Sequence, residues 1–214
     1  MKMVCKYILI IAVFAFLLYR GTYFKNLQDV RQLRQREAFN AAEYTRDFWD
    51  NQLPGVLDKA VETEELIKLF NTDMAQSIER YGKAPGVSRV YAYLLKGEGP
   101  ILEVNESGFK VSVEDPHTNP DVLIETGSYI PGNAVRDASG LIDVSKFSDT
   151  MKFNEISGEI NKIVVKEVIK PFLDKGPSTG RAVKFFGATQ VAQDAAEENG
   201  LELIKIIPIR LQLQ

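Results

Sequence analysis

The chain has 214 residues, 45 % of them hydrophobic and 26 % charged, which excludes wholesale disorder and a low-complexity fibre. The 26 Lys and Arg stand against 29 Asp and Glu, so the chain as a whole carries no basic footprint for nucleic acid. One Cys excludes an internal disulfide, and one His excludes a His-rich metal site.

The first informative segment is Tyr7–Tyr19 (YILIIAVFAFLLY), 13 apolar or aromatic residues preceded by Lys2 and Lys6 and followed by Arg20. As a helix it is about 20 Å long, against about 30 Å of bilayer hydrocarbon. Extension to Phe24 gives about 27 Å if Arg20 reaches the headgroups. No pair of small residues stands at cleavage-site spacing after the run, so the pattern favours an uncleaved signal anchor over a cleaved signal peptide. Cys5 precedes the apolar run, whereas a lipid-modified Cys follows one. Basic residues flank the segment on both sides, so charge alone does not choose its orientation.

Residues 25–46 are polar and charged and read as a helical stalk, with Leu27, Val30 and Leu33 as a narrow apolar stripe. Asn40 is placed to cap the next helix, on which Tyr44, Phe48, Trp49 and Leu53 share a face. Pro54-Gly55 is expected to bend or break the chain. A helix lined by Leu66, Ile67 and Phe70 follows, its first turn made acidic by Glu62, Glu64 and Glu65. A second, capped by Asp73, turns Ile78 and Tyr81 inward and stops at Gly82.

The pattern changes at Val87. Val90–Lys96 is rich in β-formers, Gly97 and Gly99 predict a bend, and Ile101–Val104 resumes the strand. Phe109–Glu114 alternates as a half-buried strand, and Val122–Glu125 predicts a third. Asn154 is the expected cap of a helix whose face is Ile156, Ile160, Ile163, Val164 and Val168, ending near Pro171. Strands at Ala182–Gln190 and Leu201–Leu213 close the chain, with Pro208 marking an edge or a bulge.

The expected class is α+β: an N-terminal anchor, a short helical region, and a five-stranded OB-fold-like β-barrel with one helix between strands three and four. The competing architecture is a sandwich-like sheet covered by one helix. Composition divides the chain into an anchor at 1–24, a helical stalk and layer at 25–86, and the barrel at 87–214.

The stretch Gly132-Asn133-Ala134-Val135-Arg136-Asp137-Ala138 resembles the G-x-A-[LIV]-R-D-A signature of a bacterial family of predicted periplasmic lipoproteins. Phe48-Trp49, Tyr81-Gly82, Lys96 to Gly99, Phe153-Asn154, Glu159 to Asn161, Val183 to Gly187 and Ile207 to Ile209 also fit, over roughly residues 20–214. The resemblance implies a domain on the periplasmic face of the inner membrane and an accessory role beside sugar transporter subunits. This chain lacks a lipobox, so Tyr7–Tyr19 would take the place of the lipid.

Asn133, Arg136 and Asp137 are the candidate binding residues, a guanidinium and a carboxylate offered to the hydroxyls of a small polar ligand. The competing reading is a local ion pair that braces a turn. His117 with Asp115 and Asp121 is weak as a metal site, and with no second His a catalytic triad has only one base to use. Tyr44, Phe48 and Trp49 could stack on a sugar but fit a core at helical spacing. Tyr91, Tyr93, Phe109, Phe185 and Phe186 could stack on nucleic-acid bases, which the charge balance disfavours. Glu98 with Asp137 could act as paired carboxylates, though 29 acidic residues make chance pairs common. The sequence therefore predicts a non-enzymatic binding or scaffold protein without cofactor or metal, tethered to a membrane and not contacting nucleic acid.

Overall fold

The computed structural model describes Phe16 and residues 39–114, 119–147, 149–194 and 203–214. The expected anchor apart from Phe16, the stalk up to residue 38 and His117 lie outside the described residues. Asn40–Gln214 forms one compact unit. Among the described residues no helix is long and apolar enough to cross a membrane.

Helix α1 (Ala41–Asp47) starts where Asn40 Oδ1 accepts the Glu43 N–H. A wide turn of i→i+5 bonds over Phe48–Gln52 leads into α2 (Pro54–Leu57). Strand β1 (Val61–Glu62) precedes α3 (Thr63–Thr72) and α4 (Met74–Tyr81), the latter capped by Asp73 as expected. Then come β2 (Val90–Asn105), β3 (Gly108–Val111), β4 (Val122–Glu125) and α5 (Ala134–Ser139). A 3-10 turn at Val144–Lys146 leads to α6 (Thr150–Ile163), a second wide turn (Val164–Ile169) and α7 (Lys170–Leu173). Strands β5 (Ala182–Ala192) and β6 (Ile204–Leu213) end the chain.

The six strands pair in the order β1-β2-β3-β4-β6-β5, and β5 pairs again with β2. The expected count of five is corrected to six. The addition is β1, whose Val61 and Glu62 lie parallel to Leu95 and Lys96 inside what reads as a purely helical layer. The single helix expected between the third and fourth predicted strands is corrected to α5 followed by the longer α6–α7 segment. The expected long, glycine-bent first strand is β2, whose first part pairs with β5 and whose last part pairs with β3. Gly99 lets it bend: a Cβ there would fall on the Ser112 carbonyl. Strand β3 stops at Val111 because the Asp121 carboxylate takes the Val113 and Glu114 N–H groups and the Ser112 hydroxyl. Pro208 does sit at a bulge, where the β5–β6 register slips between Phe186 and Gly187.

The wide turns correct two further expectations. Proline has no N–H to donate and its ring presses on the carbonyl four residues back. Here the preceding turn shifts to i→i+5 bonds, such as Leu53 N–H to the Phe48 carbonyl at 2.8 Å. The helical path then runs through Pro54, where a break is expected, and likewise through Pro171. In a regular α-helix residues five apart lie about 140° apart around the axis. In the wide turns Phe48 and Leu53 are both buried, and so are Val164 and Ile169. The extra residue rotates the apolar face by one position, so Ile169 is buried where Val168 is expected, and Val168 is left half-buried. Helix α6 also begins earlier than expected. Asp149, not Asn154, caps it, because Phe153 packs from within the helix.

Tyr93, Leu95, Phe109, Val111, Ile124, Val183, Phe185 and Ile206 fill the interior of the sheet. Phe70 from α3 meets the Tyr93 ring edge-on at 5.0 Å, and Phe172 from α7 meets Phe109 at 5.5 Å. The helices thus seal the interior with aromatic rings. The Tyr93 hydroxyl shares a 3.2 Å hydrogen bond with Ser77 of α4. Burial raises its pKa above the ordinary phenol value and the Ser77 contact opposes the rise, so the group stays protonated.

Candidate functional site

The signature segment forms a short loop and helix between two left-handed glycines, Gly132 (φ 89°) and Gly140 (φ 65°). All six residues of α5 are buried. Arg136 Nε donates to Asp137 Oδ1 at 2.7 Å, and its Nη1 donates to the Phe153 carbonyl at 3.0 Å and to Asn154 Oδ1 at 3.4 Å. The guanidinium lies 3.5 Å above the Phe153 ring. Asp137 Oδ2 accepts from Gln190 Nε2 of β5 at 3.0 Å. Asn133 is half-buried, its carbonyl accepting the Asp137 N–H at 2.9 Å, and Asn161 of α6 donates to the neighbouring Gly132 carbonyl.

Arg136 and Asp137 side chains are only 3 % and 4 % exposed. Two charges withdrawn from water each cost several kcal/mol, which mutual attraction and further hydrogen bonds must offset. Here both are supplied. The pair therefore locks α5 to β5 through Gln190 and to α6 through Phe153 and Asn154. The structure brings Arg136 and Asp137 together, and Arg136 Nε and Nη1 and both Asp137 carboxylate oxygens are engaged by protein partners.

A cleft of about 310 Å³ opens elsewhere, between the two wide turns and β6. Trp49, Pro54 and Pro171 give it flat apolar walls, and Glu167, Lys175 and Arg210 give it polar groups. Glu167 is held by a two-bond contact with Arg46, at 2.6 and 3.1 Å, which keeps its carboxyl below the usual carboxylate pKa. Arg210 is steered by the Phe186 ring, 5.5 Å from its guanidinium carbon. Sequence spacing alone groups Trp49 with the core. The wide turn instead buries Phe48 and leaves Trp49 half-buried beside the cleft. The sequence signal that finds this site is the five-residue spacing of Phe48–Leu53 and Val164–Ile169, each just ahead of a proline.

The remaining candidates do not assemble. Tyr93, Phe109 and Phe185 are core residues and offer no stacking surface. Glu98 lies opposite Lys184 on β5, six residues from the Gln190 that holds Asp137, a distance of about 20 Å along the strand. Glu98 and Asp137 thus cannot act as a carboxylate pair. Among the described residues no group of three or more His, Cys, Asp and Glu is placed to hold a metal ion.

No curated protein matches the sequence. An OB-fold protein from Thermotoga maritima, solved as a crystal structure, is similar in fold, with a TM-score of 0.72 and 27 % identity. The match covers 83 % of this chain and 99 % of that one. The mixed α and β architecture thus has an OB-fold neighbour. Residues 12–212 match the model of a family described as "Predicted periplasmic lipoprotein (DUF2291)", and the chain belongs to that family.

Proposed function

We propose that the chain is a non-catalytic binding module on the periplasmic face of the inner membrane, tethered by Tyr7–Tyr19. In this reading the Trp49 cleft takes a small, neutral, polar ring such as a monosaccharide, and the module serves uptake beside transporter subunits. The cyclic pairing β2–β3–β4–β6–β5–β2 is read as an OB-type barrel with β1 appended. The observation that carries the proposal is the make-up of the cleft: Trp49 in its lining for stacking and three charged side chains for hydroxyl groups. Glu167 is the one carboxylate in its lining, and Arg46 already holds it. Glycoside hydrolysis asks instead for two carboxyl groups about 5–9.5 Å apart, which supports binding over turnover. Arg136 and Asp137 act here as positioning residues.

The test is a thermal-shift screen of the full-length protein in mild detergent against neutral monosaccharides. A ligand that raises Tm for the native chain, with the rise abolished by Trp49→Ala, supports the cleft. No rise with any sugar, or a rise that Trp49→Ala leaves intact, overturns it. Recovery of transporter subunits on pull-down from native membranes supports the uptake role, and recovery of the protein alone reduces the reading to a stand-alone module.

A further inference from the structure

We propose that a second cavity, of about 470 Å³, is a binding site for a small organic molecule carrying a phosphate group. It lies between the end of α4, the turn after α2, strand β2 and the end of α5. Lys59, Arg80 and Lys83 line it, and no Asp or Glu does, in a chain whose acidic residues outnumber its basic ones by 29 to 26. A local excess of three cations against the overall charge marks a surface complementary to an anion.

One of the three cations, Lys83, is held in place by the fold. Lys83 is fixed at its backbone, its N–H donating to the Ala92 carbonyl at 2.9 Å and its carbonyl accepting from Ala92 at 2.7 Å. Its aliphatic stem lies along Gly140, whose missing side chain would stand 3.6–3.8 Å from Cγ, Cδ and Cε. Gly140 ends α5, the helix braced by Arg136 and Asp137, so the buried ion pair sets the surface on which Lys83 rests. Arg80 stands exposed in the last turn of α4, among the residues that line the cavity. Lys59 and Lys83 form no ion pair with a described residue.

The cavity exceeds what a bare phosphate needs and falls within the ordinary range for small-molecule pockets, about 300–1,000 Å³. Val56, Leu94, Ala138 and Leu141 supply apolar wall for an organic body. The backbone gives no donor beside them, because Leu141 N–H is taken by Ser139 Oγ and Gly140 N–H by the Asp137 carbonyl. Recognition rests on side-chain charge, which selects phosphate over a neutral acceptor.

The phosphate could belong to a soluble ester or to a phospholipid headgroup. Binding of glycerol 3-phosphate, inorganic phosphate and glycerol to the full-length protein in mild detergent is measured by calorimetry. Titration in the same detergent with short-chain phosphatidylglycerol and phosphatidylcholine forms the second arm. The expected result is that glycerol 3-phosphate binds more tightly than inorganic phosphate and glycerol does not bind. Lys83→Gln and Arg80→Gln should each weaken binding by about tenfold or more. Both side chains are at the surface, and unchanged far-UV circular dichroism confirms folding. Lys162→Gln, on a different surface, should bind as the native chain does. Binding of phosphatidylglycerol but not phosphatidylcholine, lost in Lys83→Gln, assigns the phosphate to lipid, and binding of glycerol 3-phosphate without binding of phosphatidylglycerol assigns it to a soluble ester. Absence of binding in both arms, or equal binding by native and Lys83→Gln protein, overturns the proposal. Neutral monosaccharides report on the Trp49 cleft and phosphate probes on this cavity, so the two readings fail separately.

Discussion

Replacing Arg136 by Met tests the reading of the signature segment directly. The substitution removes three hydrogen bonds and the contact with the Phe153 ring, and leaves the Asp137 carboxylate buried with Gln190 as its remaining side-chain donor. Breaking a buried pair from one side costs about 3–5 kcal/mol, because the orphaned charge stays out of water. For a unit of this size each kcal/mol lowers Tm by about 2–4 °C, so the expected fall is about 6–20 °C. Removing both charges, in Arg136→Met with Asp137→Leu, leaves no buried orphan. The double variant should therefore be more stable than the two single losses added together, by about 2 kcal/mol or more. Urea denaturation of the full chain and the two single and one double variants in mild detergent closes the cycle. A Tm loss for Arg136→Met below about 3 °C, or strictly additive losses, would show that the pair is solvated and that its sealed geometry carries no weight.

Two further outcomes follow from backbone space and charge. Gly158 lies on the exposed side of α6, in its interior, with nothing within 4 Å of the place a Cβ would take, so Gly158→Ala should raise stability by about 0.5–1 kcal/mol. Gly99→Ala drives a methyl into the Ser112 carbonyl and should cost about 1–3 kcal/mol or more, and thermal melts distinguish the two. Arg46 holds the folded-state pKa of Glu167 below its unfolded value, so the pair's contribution is complete above the unfolded carboxylate pKa of about 4.3 and is lost as pH falls through the folded value. Both side chains are more than a third exposed, which limits the contribution to about 1 kcal/mol or less. The Tm gap between native and Glu167→Gln protein should accordingly narrow as pH is lowered from about 6 to about 3, and a gap constant with pH would exclude the pair as its origin.

What the sequence made legible was the order of the elements, because alternation, paired glycines and caps are local signals. Strand β2, the Asn40 and Asp73 caps and the Pro208 bulge all follow from a few neighbouring residues. Strand β1 has two residues and therefore no period; it exists because Val61 and Glu62 find an open edge beside Leu95 and Lys96. The sequence misplaces the start of α6 at Asn154: Asp149 takes the Met151 N–H, and Phe153 packs under Arg136 from inside the helix. Adjacent Arg and Asp in a loop read as readily solvated as buried. Gln190, 53 residues away from Asp137, completes the enclosure, and no local pattern announces it. The Trp49 cleft was hidden for a related reason: a period of 3.6 assumes regular helix, and the two wide turns depart from it.

Those turns make the cleft depend on residue number as well as residue identity. Each holds one residue more than an α-helical turn, and that surplus puts Leu53 and Ile169 into the core while Trp49 and Val168 are left at the cleft wall. A relative of this chain with the same prolines and the same apolar residues, but one residue fewer in either turn, would re-phase the helix and turn a cleft residue inward. Length conservation between Phe48 and Pro54, and between Val164 and Pro171, is then the constraint under which this surface can persist. Gains and losses of single residues, ordinarily tolerated in loops, would be selected against in the middle of two helices.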